Sequence, residues 1–477
     1  MTSEDFPGGC RILLLSPAFL PLGNPEAYCS AKLARVLLQS GAEVIVVTQK
    51  LRGRTGYDYG GDWSEPWNGL RPNVLEVDDD PRPSAWSALA DRVGAIGRAR
   101  SAVDGVRWAV RAASIASKVH RERRVDLVLS RGFPLSAHLA ARIFSRDSGV
   151  PWIANWNDPW EYLRRPARLG FGWNCGFRTV LEARSIARCA DWNTFPSEIL
   201  RRVMTATLGP RTEARSSVIP HAAVKDLGVL VGLPPPVTEL RLAYVGRLSR
   251  SQPARALLDA MVQWSAQTTC RIVLTFAGFD EWGLSRCAVE RGLEGQVLCL
   301  GPVSYMSALH LCAASNVLVV IDPPGTRGML CTSKLSDYVA TDRPILALGT
   351  PGGTLEALMR WPGAGAFADG SQSSSVLRAL TKVHEMCHER ASGPQPATTG
   401  LYRAFAKEEV VGRLRAIFRF LAAGGSIGTR GGDGAYGEAT RAWWDDPGRT
   451  GPGSIRTSRS VAWCEPDPSQ SSRRRGS

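Results

Sequence analysis

Apolar positions recur along the chain in two alternating rhythms. Short continuous runs such as residues 11–16 have the length of a buried strand, and stretches with helical spacing follow them. In the first such stretch Ala27, Ala31, Ala34 and Leu38 share one face over residues 26–40. Gly41 then stops the helix, and an apolar run resumes at 43–48. This strand-helix-strand unit predicts a parallel sheet covered by helices. Residues 52–83 break the rhythm with glycines, prolines, Trp63 and Trp67 and read as a surface insertion, after which a long basic helix is expected over about 84–124. Further strands are expected at 125–130, 152–156, 191–195 and 217–220.

Residues 228–239 contain Pro234, Pro235 and Pro236, which continue neither a helix nor a ladder, so this stretch reads as a linker. The alternation then restarts, with strands expected at 242–246, 272–278, 297–301, 317–321 and 344–348 and a last helix at 402–422. From Gly424 onward Gly, Ser, Arg and Asp dominate without apolar periodicity, the composition of a disordered tail. The expected fold class is α/β, with two doubly wound Rossmann-like domains. The first spans 1–230 and the second 240–395, a final helix at 396–423 packs back toward the first, and a tail occupies 424–477.

Composition narrows the class. A chain of 477 residues outgrows a single core, and 44% apolar with 21% charged residues is ordinary for a globular protein. No apolar run approaches the ~18 residues of a membrane span. The first ten residues carry two acidic and no basic side chains, the reverse of a secretory leader, which predicts a cytoplasmic protein. The eleven cysteines never form Cys-x-x-Cys and fall mostly in apolar segments, as do Cys270, Cys299 and Cys312, which suits reduced thiols. The net charge of +14 favours an anionic partner: a phosphorylated small molecule, a membrane surface or nucleic acid.

Four segments carry chemistry. They are residues 11–23 (RILLLSPAFLPLG), 152–160 (WIANWNDPW), 244–249 (YVGRLS) and 333–345 (SKLSDYVATDRPI). In this order and spacing they resemble family 4 of the retaining glycosyltransferases with the GT-B fold, over residues of about 10 to 422. The resemblance implies a nucleotide-diphosphate sugar as donor, a saccharide or lipid-linked acceptor, retention of configuration, no metal and no further cofactor. It also suggests a place in cell-surface polysaccharide or glycolipid synthesis.

Residue types and placement fit that chemistry. A diphosphate leaving group needs fixed positive charge, and Arg247 stands at the end of the first strand of the second domain, where open α/β sheets bind ligands. Arg250 follows it, with Gln252 where the family commonly has lysine. Lys334 suits phosphate, and Asp337, one helical turn on, suits ribose hydroxyls. The family usually has glutamate at the latter position and a partner acid eight residues earlier, where this chain has Met329. Restoring an acid there by Met329→Glu is expected to raise affinity. In the first domain Gly23 permits close approach of backbone to a ligand. Asp158 follows a strand and is expected to face the cleft and orient or deprotonate an acceptor hydroxyl. His138 can donate to a phosphate or sugar oxygen, although its apolar neighbours also suit a packed histidine. Arg131 takes the place of an acceptor-side histidine of many relatives.

Three alternatives stand beside this reading. The first is a catalytically degenerate relative that binds nucleotide sugars. The second is a zinc peptidase, because His384, Glu385 and His388 satisfy the zincin pattern with Glu408 downstream, although Leu377, Leu380, Val383 and Cys387 share that helix at core spacing. The third concerns location: the basic helix carries Arg98, Arg100, Arg107, Arg111, Lys118, Arg121, Arg123 and Arg124 beside Val103, Trp108, Val110 and Ile115. That pattern suits peripheral contact with an anionic inner membrane face better than nucleic acid, for which no motif is present.

Overall fold

A computed structural model of the chain describes residues 6, 9–50, 67, 69–78, 100–132, 134–158, 177–227, 238–250, 254–323, 326–392 and 400–424. The first half runs β1 (Arg11–Leu15), α1 (Pro25–Gln39), β2 (Glu43–Gln49), β3 (Asn73–Val77), α2 (Arg100–Glu122), β4 (Leu127–Gly132), α3 (Ser136–Ser148), β5 (Trp152–Trp156), α4 (Phe177–Cys189), β6 (Trp192–Phe195), α5 (Glu198–Leu208), α6 (Pro210–Ala214) and β7 (Ser216–Val218). The second half runs β8 (Glu239–Val245), α7 (Arg255–Gln267), β9 (Arg271–Ala277), α8 (Leu284–Val289), β10 (Val297–Cys299), α9 (Tyr305–Ala313), β11 (Val317–Ile321), α10 (Lys334–Thr341), β12 (Ile345–Gly349), α11 (Thr354–Met359), β13 (Gly365–Asp369) and α12 (Ser373–Ser392). Two more helices close the chain, α13 (Gly400–Phe405) and α14 (Lys407–Ala422).

Each half forms an all-parallel sheet, in the orders β3-β2-β1-β4-β5-β6-β7 and β10-β9-β8-β11-β12-β13. The order reverses between β1 and β4 and between β8 and β11, so each sheet opens a crevice at its carboxyl edge there. Continuous apolar runs suit strands covered on both faces: Ile12 to Leu15 and Val317 to Ile321 are buried throughout. The α1 start is set by Asn24, whose side chain accepts from the Ala27 N–H at 2.8 Å, with Pro25 in the first turn.

Several expectations change in detail. The region read as an insertion contains β3, an edge strand with only Val77 buried; a strand wetted on most of its length leaves little apolar signature. Strand β13 is a second omission, because Gly-Ala-Phe-Ala-Asp lacks the β-branched residues that mark strands. The single last helix is two, interrupted at Ala406 by an extended backbone (ψ 154°). The expected helix over 84–99, the linker prolines and the tail over 425–477 lie outside the described residues.

Helix α14 belongs to the core of the first sheet although it follows the second. Val410, Val411, Leu414 and Ile417 pack with Ile12, Leu14 and Leu37, and Arg413 Nη1 donates to Val218 O at 2.9 Å. Tyr305 and Leu309 of α9 join the same cluster. These contacts, with the Ala223 N–H donating to Phe405 O at 2.8 Å, tie the two halves together. Trp108, one of the apolar residues of the basic helix expected to suit a membrane surface, is buried against the first sheet with Ala109, Ala112 and Ala116; Val106 and Val110 are exposed on α2. No helix among the described residues is long and apolar enough to cross a membrane.

Candidate active site between two sheet edges

At the second sheet the ends of β8 and β9 are pressed together. A Cβ on Gly278 would lie 1.9 Å from Gly246 O, so only glycine fits there. Gly246 (φ +103°) turns the chain into Arg247, and the Tyr244 hydroxyl donates to Arg247 O at 2.9 Å. Lys334 Nζ stands 3.9 Å over the Tyr244 ring beside Gly246. Lys334 and Arg247 are thus brought to one strand end. Burial pulls the Lys334 ammonium down to about 7. Arg247 is ion-paired with Glu281, and Arg250 is exposed on the following turn.

Asp337 points elsewhere. Its Oδ1 accepts from Lys32 Nζ of α1 at 2.5 Å and from the Tyr305 hydroxyl at 2.6 Å. The Lys32 side chain has no exposure at all and also donates to Ser336 Oγ at 2.8 Å. Burial and the charge of Asp337 push the Tyr305 hydroxyl well above its ordinary range, so it stays a donor. Tyr28 stacks on Tyr305 at 4.6 Å, completing a clamp between the halves. Met329 serves the same junction: it is 2% exposed within the core cluster of the first sheet, and its carbonyl accepts from Ser197 Oγ at 3.2 Å. A glutamate at 329 would be buried among apolar side chains, so Met329→Glu is expected to weaken this junction rather than raise affinity.

At the first sheet the carboxyl ends of β4 and β5 meet the first turn of α1. Glu26 Oε1 accepts from Arg131 Nε at 3.0 Å, and its Oε2 from Asn157 Nδ2 at 2.7 Å. Burial raises Glu26 against the opposing pull of Arg131. Asp158 is exposed at the end of this strand; desolvation, with the charge of Glu26 second and Arg131 opposing, pushes its carboxyl up to about 7. Arg131 Nη2 and Asn157 Oδ1 are buried and have no hydrogen-bond partner among the described residues.

His138 is not on this surface. It has zero exposure, lies 4.3 Å from the Trp156 ring, and its Nδ1 shares a 2.8 Å hydrogen bond with Ser130 Oγ. A Cβ on Gly132 would come within 2.3 Å of its Nε2. Burial drives His138 down to about 3, so it stays neutral and packed where the sequence allowed a ligand-facing donor. Gly23 is buried in the loop before Asn24.

No protein-family model matches the chain, and no curated protein matches it. Solved structures match by fold. HepE of Anabaena, solved with UDP and glucose, superposes with a TM-score of 0.57 at 14% identity, over 87% of this chain and 100% of that one. Sucrose-phosphate synthase from Thermosynechococcus elongatus gives the same score, identity and coverage. A putative UDP-N-acetylglucosamine 2-epimerase from Listeria monocytogenes gives 0.52 at 13%, over 87% and 98%. The chain has the GT-B fold.

Within this GT-B frame four side chains escaped the sequence reading. Glu26 is an acid in a first helical turn, and its reach to β4 and β5 depends on sheet order. Lys32 had a signal: it is the lone lysine in a helix apolar on nearly every side. Tyr305 opens α9 among apolar residues, which gives no sign of its partner Asp337. Asp322, at the end of β11, is 5% exposed; Thr326 Oγ1 donates to its Oδ1 at 3.0 Å, and burial pushes it up to about 7.

Proposed function

We infer that the chain is a glycosyltransferase that moves a sugar from a nucleotide-diphosphate sugar to an acceptor hydroxyl, with retention. The observation that carries this is the pairing, in one chain of this fold, of a cationic strand end, Lys334 beside Gly246 and Arg247, with an acidic strand end of the first sheet, where Glu26 meets Arg131 and Asn157 next to Asp158. Lys334 and Arg247 neutralise the departing diphosphate, for which Arg247 exchanges Glu281 for phosphate. Asp158 orients the acceptor hydroxyl and takes up its proton in step with the diphosphate. A working donor site also needs Asp337 to share or release Lys32 so that an oxygen can meet ribose. The GT-B neighbours that bind UDP or carry synthase names support a nucleotide-sugar donor. Assembly of cell-surface polysaccharide or glycolipid, at the inner membrane face through the outward arginines of α2, fits the net charge of +14.

The engagement of Asp337 by Lys32 and the burial of Met329 favour a second reading, a GT-B relative that binds nucleotides without transferring sugar. One experiment separates the two. Thermal shift against UDP, GDP, ADP and their sugars identifies a ligand by its stabilisation, and donor turnover is then followed by NMR. Stabilisation with turnover lost in Asp158→Asn supports transfer; stabilisation without turnover supports the second reading. No response to any nucleotide removes both.

A further inference from the structure

Helix α12 holds a side-chain pair that sugar transfer leaves unused. Val376, Leu380, Val383 and Cys387 anchor the helix in the second core with Trp264 of α7. That anchoring leaves His384 and His388, one turn apart, on a common face. Their rings lie 4.5 Å apart and perpendicular, their Nε2 atoms are 3.1 Å apart, and the edge of His384 meets Trp264 at 5.1 Å. One imidazole therefore donates its Nε2–H to the lone pair of the other.

The peptidase expectation fails on this geometry. Among the described residues no three His, Cys, Asp or Glu side chains converge, and Glu408 lies on α14, where it pairs with Lys407 at 3.9 Å. No catalytic zinc set is present among them. The separation of the two nitrogens is nevertheless one that a chelated ion can span. Two metal–nitrogen bonds of about 2.05 Å spanning the 3.1 Å separation enclose an angle of about 98°, between the tetrahedral and cis-octahedral values.

We propose that His384 and His388 form a two-nitrogen chelate for a divalent transition ion of the zinc, nickel or cobalt class on the outer face of the second domain. The ion replaces the shared hydrogen bond. The donating ring moves its proton from Nε2 to Nδ1 through solvent, so both rings stay neutral and offer an Nε2 lone pair. His388 is exposed, so the site is open to an ion from solvent. Anchoring of α12 holds the ligands in place before the ion arrives, and the bound ion stabilises the fold by mass action.

The test uses the full chain after chelator treatment. Cobalt(II) is titrated by visible absorption, which separates imidazole from thiolate ligation, and zinc by calorimetry. The expected result is one ion per chain without a thiolate charge-transfer band, with affinity at least tenfold weaker in both His384→Ala and His388→Ala. His388→Ala changes an exposed position, so circular dichroism is expected to show a parental fold and its affinity reads the ligand alone. Absence of saturable binding, a thiolate band, or parental affinity in His388→Ala overturns the proposal.

Discussion

The two sheets of this GT-B chain share one strand order and one kind of carboxyl edge, yet the edges hold opposite charges. At the first, burial and Glu26 raise the Asp158 carboxyl to about 7; at the second, burial lowers the Lys334 ammonium to about 7. One cause acts on both, since removing water disfavours whichever form is charged. The difference lies in which strand end donates the side chain: Asp158 comes from the loop after β5, whereas Lys334 reaches back from the first turn of α10 to the end of β8.

The clamp joining these edges gives the largest expected effect. Asp337→Ala leaves Lys32 fully buried without its counter-charge and is expected to destabilise the fold by ~3–5 kcal/mol in urea titration, whereas Lys32→Met with Asp337→Leu recovers most of that loss. Equal stability in the single and double variants would show that the pair does not hold the halves together.

Asp158→Asn tests the acidic edge. Turnover is expected to fall at least ~100-fold with donor affinity unchanged, a loss near ~2.7 kcal/mol in the barrier. In the parent, turnover is expected to rise with pH through about 7 as Asp158 loses its proton. A rate profile flat across that range would remove Asp158 from the chemistry.

Lys334→Met tests the cationic edge. Nucleotide diphosphate affinity is expected to weaken by at least ~1.5 kcal/mol, with a similar loss in Arg247→Ala. The sign with pH is opposite to that of Asp158: Lys334 is charged below about 7, so parental affinity falls as pH rises through that value, and binding at pH 7.5 takes up a proton. Calorimetry in buffers of different ionisation enthalpy measures the uptake, which should vanish in Lys334→Met. Together the two legs give transfer a bell-shaped pH dependence centred near neutrality.

Arg250→Ala should do least. Its side chain is exposed and screened, so a loss in nucleotide affinity beyond ~1 kcal/mol would mark it as a third phosphate ligand and make the cationic edge broader than two residues.

The alternation of apolar runs with helical spacing was enough to predict two doubly wound sheets, because strands buried on both faces must be apolar throughout and their covering helices on one side only. It failed at β3 and β13, where an edge position or small residues erase the pattern. Strand-end placement was equally legible for Arg247 and Asp158, since a strand's last residue is local information. Partnership was not. Glu26 meets Arg131 105 positions away, and Lys32 meets Asp337 across 305. The first pair depends on strand order within one sheet and the second on how the two sheets dock, and no local periodicity encodes either. The sequence by itself determined the layers, the strand ends and the supply of charged groups. Tertiary structure decided that His138 is core, that Met329 seals a junction and that Asp337 holds a lysine, because burial and counter-charge are properties of the assembled surroundings rather than of the residue.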